Sequence, residues 1–171
     1  MSTATIGLEA AADLKPTGRV GVVFKQLPPG RFQQVQKDAI ALIKIQDQSG
    51  AEGPGDGLQV EDHTDELGFD WLIVTGADFQ GVLTAIHSVA QGLLDEGLGD
   101  NLLAAVFRFQ QERQRVYWIY GYKQATFYPF VPTGDHQRDN SLELRLAALA
   151  KTEMPVEPQL ERWFALWGVP V

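Results

Sequence analysis

Apolar and polar positions change period along this chain, and each change of period predicts an element. From Thr3 to Leu14, Ile6, Ala10 and Leu14 recur at four-residue steps, which predicts a short helix. Arg19 to Lys25 alternates Val20, Val22 and Phe24 against Gly21 and Val23, the two-residue period of a strand. After Leu27-Pro28-Pro29-Gly30, a turn signal, the set Phe32, Val35, Ala39, Leu42 and Ile43 predicts a helix from Arg31 to Gln46. Two strands follow, Leu58 to Asp62 and Gly68 to Val74, the second with an unbroken apolar run Trp71-Leu72-Ile73-Val74 that fits a strand covered on both faces. The longest helix runs from Asp78 to about Glu96, with Asp78 as N-cap and Gly97 closing it. Its apolar face is Phe79, Val82, Leu83, Ile86, Ala90, Leu93 and Leu94.

The second half continues with a hairpin, Asn101 to Gln110 and Arg115 to Lys123, turning at Gln111-Glu112-Arg113-Gln114. A polar loop is expected from Pro132 to Arg138. Asn140-Ser141-Leu142-Glu143 has the form of a capping box and opens a helix to about Lys151. In the closing segment, residues 155–171, Leu160, Trp163, Phe164 and Trp167 fall at helical spacing. A short helix is expected there, laying both tryptophans over the core. Residues 47–57 form a glycine-rich, flexible loop that lacks the GK[ST] ending of a phosphate loop and the spacing of a calcium loop. Strands and helices in this order predict a single α+β domain over 1–171, an antiparallel β-sheet packed by helices.

Aromatic residues concentrate between Val116 and Pro132. Tyr117, Trp118, Tyr120 and Tyr122 precede Lys123, and Phe127, Tyr128 and Phe130 follow it. Both faces of 116–122 are apolar, which places that part in the core. The part after Lys123 carries Pro129 and Pro132, which cannot donate backbone hydrogen bonds, so it is the half expected at the surface. Lys123, Phe127, Tyr128 and Phe130 are therefore candidate partner-binding residues.

Charge narrows the partners. The net charge is −8, and no lysine or arginine lies between Lys44 and Arg108. That span holds twelve of the 22 acids, while the rest of the chain carries all fourteen bases. Phosphate backbones are held by clustered Lys and Arg, so nucleic acid is excluded as the expected partner. An anionic membrane would repel the acidic span. The span reads first as a solvated acidic face and second as a docking surface for a basic protein partner, with Asp62, Asp65 and Glu66 as candidate contacts. The chain has no cysteine, which removes disulfides and thiolate chemistry and fits a reducing cytoplasm. Its longest apolar run, Leu102 to Phe107, is far below the roughly 20 residues of a membrane span. No signal peptide is read at the N-terminus.

Candidate chemistry is sparse. Asp62-His63-Thr64-Asp65-Glu66 offers carboxylates and an imidazole that could hold a divalent ion, but a polar hairpin turn has the same composition. His87 sits at the edge of the long helix's apolar face, where a core histidine is expected over a catalytic base. His136 lies in a polar loop with no nucleophile nearby. Ser88 and Ser141 lack a nucleophile-elbow context. No cofactor or metal is expected. The competing enzymatic reading would use Asp62, His63, Asp65 or His87.

Four ordered blocks carry a family resemblance. Tyr122-Lys123-Gln124-Ala125-Thr126-Phe127-Tyr128-Pro129-Phe130-Val131-Pro132 resembles the Y-K-x-x-T-F-Y-P-F-x-P signature of the PspA-associated protein PspAB family. Asp65-Glu66-Leu67-Gly68-Phe69-Asp70-Trp71-Leu72 is similar to its D-E-Y-G-F-x-W-L block, with leucine in place of tyrosine. Arg138-Asp139-Asn140-Ser141-Leu142-Glu143-Leu144 and the stretch from Pro155 through Trp167-Gly168 resemble two more. The order of elements also resembles the YbjN-like and type III secretion chaperone-like folds, which are binding scaffolds. The family resemblance implies a cytoplasmic bacterial accessory protein of the phage-shock, envelope-stress system, with a PspA-like or HtpX-like protein as partner. It carries no catalytic residues, so the expectation is a non-enzymatic adaptor; a homodimer is compatible with it.

Overall fold

The computed structural model describes residues 7–10, 12–28, 30–48 and 57–171. The predicted glycine-rich loop lies largely outside them, as do Thr3 to Ile6 of the first predicted helix and Pro29 of the first turn. The described chain divides into two compact units, one built mainly from 18–105 and the other from the N-terminal residues and 106–169. Each joins antiparallel strands to helices, so the α+β class predicted from the pattern holds.

In the first unit, strand β3 (Asp70–Thr75) lies between β1 (Lys15–Phe24) and β2 (Gln59–Thr64), antiparallel to both. Val22 pairs with Leu72, and Asp62 pairs with the same residue from the other side. Trp71 to Val74 are all buried, as a strand with two apolar faces requires. The first residues of β4 (Leu102–Gln111) flank β1, where Lys25 N–H donates to Asn101 O at 2.9 Å. Helices α1 (Arg31–Gln48) and α2 (Phe79–Asp95) pack on each other. Val35 and Ala39 of α1 are buried, while the side chains of Phe32, Leu42 and Ile43 fall outside the description.

Helix α2 is bounded by its own sequence. The Asp78 carboxylate accepts from Gln80 N–H at 3.1 Å and Gly81 N–H at 2.9 Å, satisfying donors that no helical carbonyl can reach. At the other end Gly97 takes φ +75°, Leu98 N–H bonds Leu93 O, and Gly97 N–H bonds Leu94 O. That is the paired closure of a Schellman motif, and it needs a residue without a β-carbon penalty at Gly97.

In the second unit, β5 (Gln114–Gly121) leaves β4 by a two-residue turn at Glu112-Arg113 and pairs antiparallel with β6 (Thr126–Phe130). Val116 to Ile119 are buried on both faces, so the predicted core strand is found. Where a polar loop was expected, Pro132–Gly134 (β7) and Gln137–Arg138 (β8) pair as a small ribbon. His136 turns it with φ +52°. Helix α3 (Asn140–Ala150) packs on β6 and buries Leu146, Ala147 and Ala150.

Three predictions are corrected here. The N-cap of α3 is Asp139, whose carboxylate accepts from Leu142 N–H at 2.9 Å, not Asn140. Glu143 therefore cannot close a capping box; it is buried and bonded elsewhere. In the N-terminal segment Leu14 is buried as expected, but Ala10 is exposed, and Leu8 and Ala12 are buried in its stead; Ile6 lies outside the described residues. The closing segment is not a helix beyond a single 3₁₀ turn at Leu160–Arg162. Its first residues are drawn into the sheet instead. Phe127 N–H donates to Pro155 O and Glu157 N–H to Phe127 O, both at 2.8 Å, extending the sheet in parallel at Val156.

Candidate functional site

The acidic hairpin of the first unit holds acids that serve the fold and acids exposed on its surface. Asp65 Oδ1 accepts from Leu67 N–H and Phe69 N–H, and Oδ2 accepts from Trp71 Nε1–H at 2.9 Å. Burial pulls this carboxyl up, but those hydrogen bonds, with the nearby His63, outweigh it and hold Asp65 below the ordinary value of 3.8. Asp70 is buried and accepts from Thr64 Oγ1 and Leu27 N–H. Glu61 pairs with Arg19 at 3.0 Å. Asp62, His63 and Glu66 are exposed, and Leu67 at the tip is 82% exposed. Asp62 and His63 are successive strand residues and point to opposite faces.

The arrangement of these groups does not converge. Among the described residues no set of three or more His, Asp or Glu side chains is placed to hold a metal ion. His87, expected inside the core, is exposed on α2. The helix buries Val82, Ala85, Ile86, Val89, Ala90 and Leu93, and His87 lies one step of about 100° beyond Ile86.

Because its folded pKa is depressed, Asp65 contributes stability that is fully present above the unfolded aspartate value and lost as pH falls through the lower folded one. In a pH titration the Trp71 indole N–H resonance is expected to move with a midpoint below 3.8. A midpoint at or above 3.8 would contradict the assigned hydrogen bonds.

The aromatic residues after Lys123 are not the surface expected of them. Phe127, Tyr128 and Phe130 are all buried, with Phe130 at 0% exposure, so in this fold they are not a contact face. The prolines were misleading because Pro129 needs no N–H where it stands opposite Trp118. The outer edge of β6 is covered by 155–157. Phe127 lies 4.7 Å from Tyr120 and 6.2 Å from Phe107, ring centre to ring centre, and Tyr128 stacks on Trp163 at 6.4 Å. Burial pushes the Tyr122 and Tyr128 phenols well above their ordinary value of 10.0, so both stay protonated. Lys123 alone of that group is exposed.

At the centre of the second unit lies a pair that sequence reasoning missed. Glu143, 1% exposed, accepts from Val131 N–H at 2.8 Å and from Arg138 Nε–H at 2.9 Å. Arg138 Nη1 donates to Trp163 O at 2.8 Å, and its guanidinium stands 5.1 Å from the centre of the Phe130 ring. The same Nε–H is shared with Glu143 Oε2, also at 2.9 Å, while Nη2 lies 2.9 Å from Oε2 and contributes charge attraction without a hydrogen bond. The only sequence signal was a charged pair spaced five residues apart across a helix start.

The exposed apolar side chains lie where a closing helix was expected. Trp163 is buried, with Nε1–H on Glu157 O at 3.0 Å, but Leu160 is 54%, Phe164 61% and Trp167 36% exposed. Trp167 still leans edge-on against Phe130, ring centres 5.1 Å apart. Leu144 and Leu149 of α3 are also exposed. Large apolar groups left in water at this density mark contact surfaces more often than catalytic ones.

The chain belongs to the PspA associated protein B family, whose model matches residues 1–171. No curated protein and no solved structure matches it. No helix among the described residues is long and apolar enough to cross a membrane.

Proposed function

We propose that this chain is a non-enzymatic accessory protein that associates with a PspA-type partner in the phage-shock, envelope-stress response and works in the cytoplasm. The observation that supports the binding role is the exposed trio Leu160, Phe164 and Trp167, on either side of the buried Trp163, whose indole N–H donates to Glu157 O and whose carbonyl accepts from Arg138 Nη1. Binding energy concentrates in a few large side chains that a partner can desolvate, and aromatic residues on a rigid support are the common form of such anchors. Family membership supports the partner's identity. The enzymatic alternative draws on Asp62, His63, Asp65 and His87, and Asp65 already spends both oxygens on three donors.

The test uses purified proteins. Wild-type chain binds the PspA-type protein measurably by calorimetry, and Phe164→Ser weakens binding by about thirtyfold, the loss of one anchor of about 2 kcal/mol. Glu66→Lys, on the acidic hairpin, is the companion variant. A loss there with none at Phe164 moves the contact to the hairpin, and unchanged affinity in both sinks this assignment of the surface. An HtpX-type protease tested in parallel separates the two partners that the family resemblance implies.

A further inference from the structure

The second unit holds a cleft of about 470 Å³, lined by Lys123, Gln124, Thr126, Glu157, Pro158, Gln159 and Arg162. Its volume falls within the range of small-molecule sites, roughly 300–1,000 Å³. One wall is the connection between β5 and β6; the other is the segment that runs into the 3₁₀ turn. Both walls are fixed. Ala125 N–H closes the connection on Gly121 O at 2.8 Å, with Ala125 held at φ +54°, a left-handed conformation that a residue with a β-carbon rarely keeps without cause. The opposite wall is pinned through Glu157 N–H on Phe127 O.

The charges in this cleft are arranged unequally. Glu157 is 4% exposed, and each of its oxygens is engaged, Oε2 by Thr126 Oγ1–H at 2.9 Å and Oε1 by Gln159 N–H at 3.0 Å. Lys123 and Arg162 are both exposed and neither forms an ion pair with a described residue. This is not for want of acids, since the chain has 22 against fourteen bases. The lining thus carries two cations and the amides of Gln124 and Gln159 against one carboxylate, and the oxygens of that carboxylate are held by two neutral donors, which leaves a net charge of +1.

We propose that this cleft binds a small oxyanion ligand, a phosphate or a polycarboxylate, through Lys123 and Arg162. An ammonium and a guanidinium are the two side chains that recognise such groups, the guanidinium in bidentate fashion. The site is independent of the protein-binding surface: the anion would occupy the cleft, whereas Phe164 and Trp167 lie outside its lining.

The experiment is a titration of the intact chain with sodium phosphate, pyrophosphate and citrate at low ionic strength, followed by amide NMR. Saturable shifts confined to 122–126 and 156–162 are expected with at least one of the three. A phosphate-only or a citrate-only response supports the site and sets which oxyanion it takes. Lys123→Gln and Arg162→Gln should each weaken binding on the order of tenfold, as losing one charged hydrogen bond does. Both side chains are exposed, so both variants should keep the wild-type spectrum outside the cleft. Arg113→Gln at the β4–β5 turn serves as control and should change nothing. Saturation by none of the three anions, shifts shared equally with Arg113 and Arg115, or binding that survives the double variant would each overturn the proposal.

Discussion

Replacing Glu143 with alanine is expected to cost about 3–5 kcal/mol, the range for removing one partner of a buried ion pair. The cost has two sources. Arg138 would keep its charge at a site where only 19% of its side chain meets water, and Val131 N–H would lose its acceptor inside the core. Arg138→Leu together with Glu143→Leu should be less damaging than Glu143→Ala, because a removed pair leaves no orphan charge. Urea unfolding of the wild type and these two variants measures this. A Glu143→Ala midpoint close to wild type would mean that the Arg138–Glu143 pair does not organise the second unit.

The second large effect is expected at Gly18. Its φ is +70°, and a β-carbon there would stand 2.0 Å from Gly76 O, far inside any real contact. The same two residues are tied by Gly76 N–H on Gly18 O at 2.9 Å, so the backbone cannot move away without breaking that bond. Gly18→Ala combines the left-handed penalty of about 1–2 kcal/mol with an overpacking cost of about 1–3 kcal/mol. Gly97→Ala isolates the first term: its φ is +75° and nothing lies within 4 Å of the added carbon. Chemical denaturation should therefore rank Gly18→Ala well below Gly97→Ala; equal losses would show that the approach of Gly76 has no energetic weight.

These two positions also explain what the sequence could and could not reveal. Period and capping residues are local, and the elements they govern were legible: Asp78 and Gly97 bound α2, and the apolar run of 71–74 is a doubly covered strand. The constraint on Gly18 has no local signal, because the carbonyl it avoids belongs to residue 76. Glu143 fitted a capping box by spacing, yet Asp139 took the cap and left Glu143 to turn inward toward Arg138. The closing segment was read as a helix because Leu160, Trp163, Phe164 and Trp167 have helical spacing. Its backbone instead pairs with Phe127, and a long-range hydrogen bond outweighs a weak local preference.

The candidate surface shifted for the same reason. Phe127, Tyr128 and Phe130 were expected at the surface and are covered, partly by the very segment expected to coil. That coverage in turn leaves Leu160, Phe164 and Trp167 in water. The prolines account for the surface that was expected, and the misplaced helix for the one that was missed. Lys123, Asp62 and Glu66 are exposed as foreseen, whereas Asp65 serves the hairpin itself.

The association claim is tested most directly by affinity purification of the tagged chain from envelope-stressed cells, with Phe164→Ser purified in parallel. The account predicts that a PspA-type protein is recovered with the wild-type chain and depleted from the variant. Recovery of neither a PspA-type nor an HtpX-type protein with the wild-type chain would contradict it.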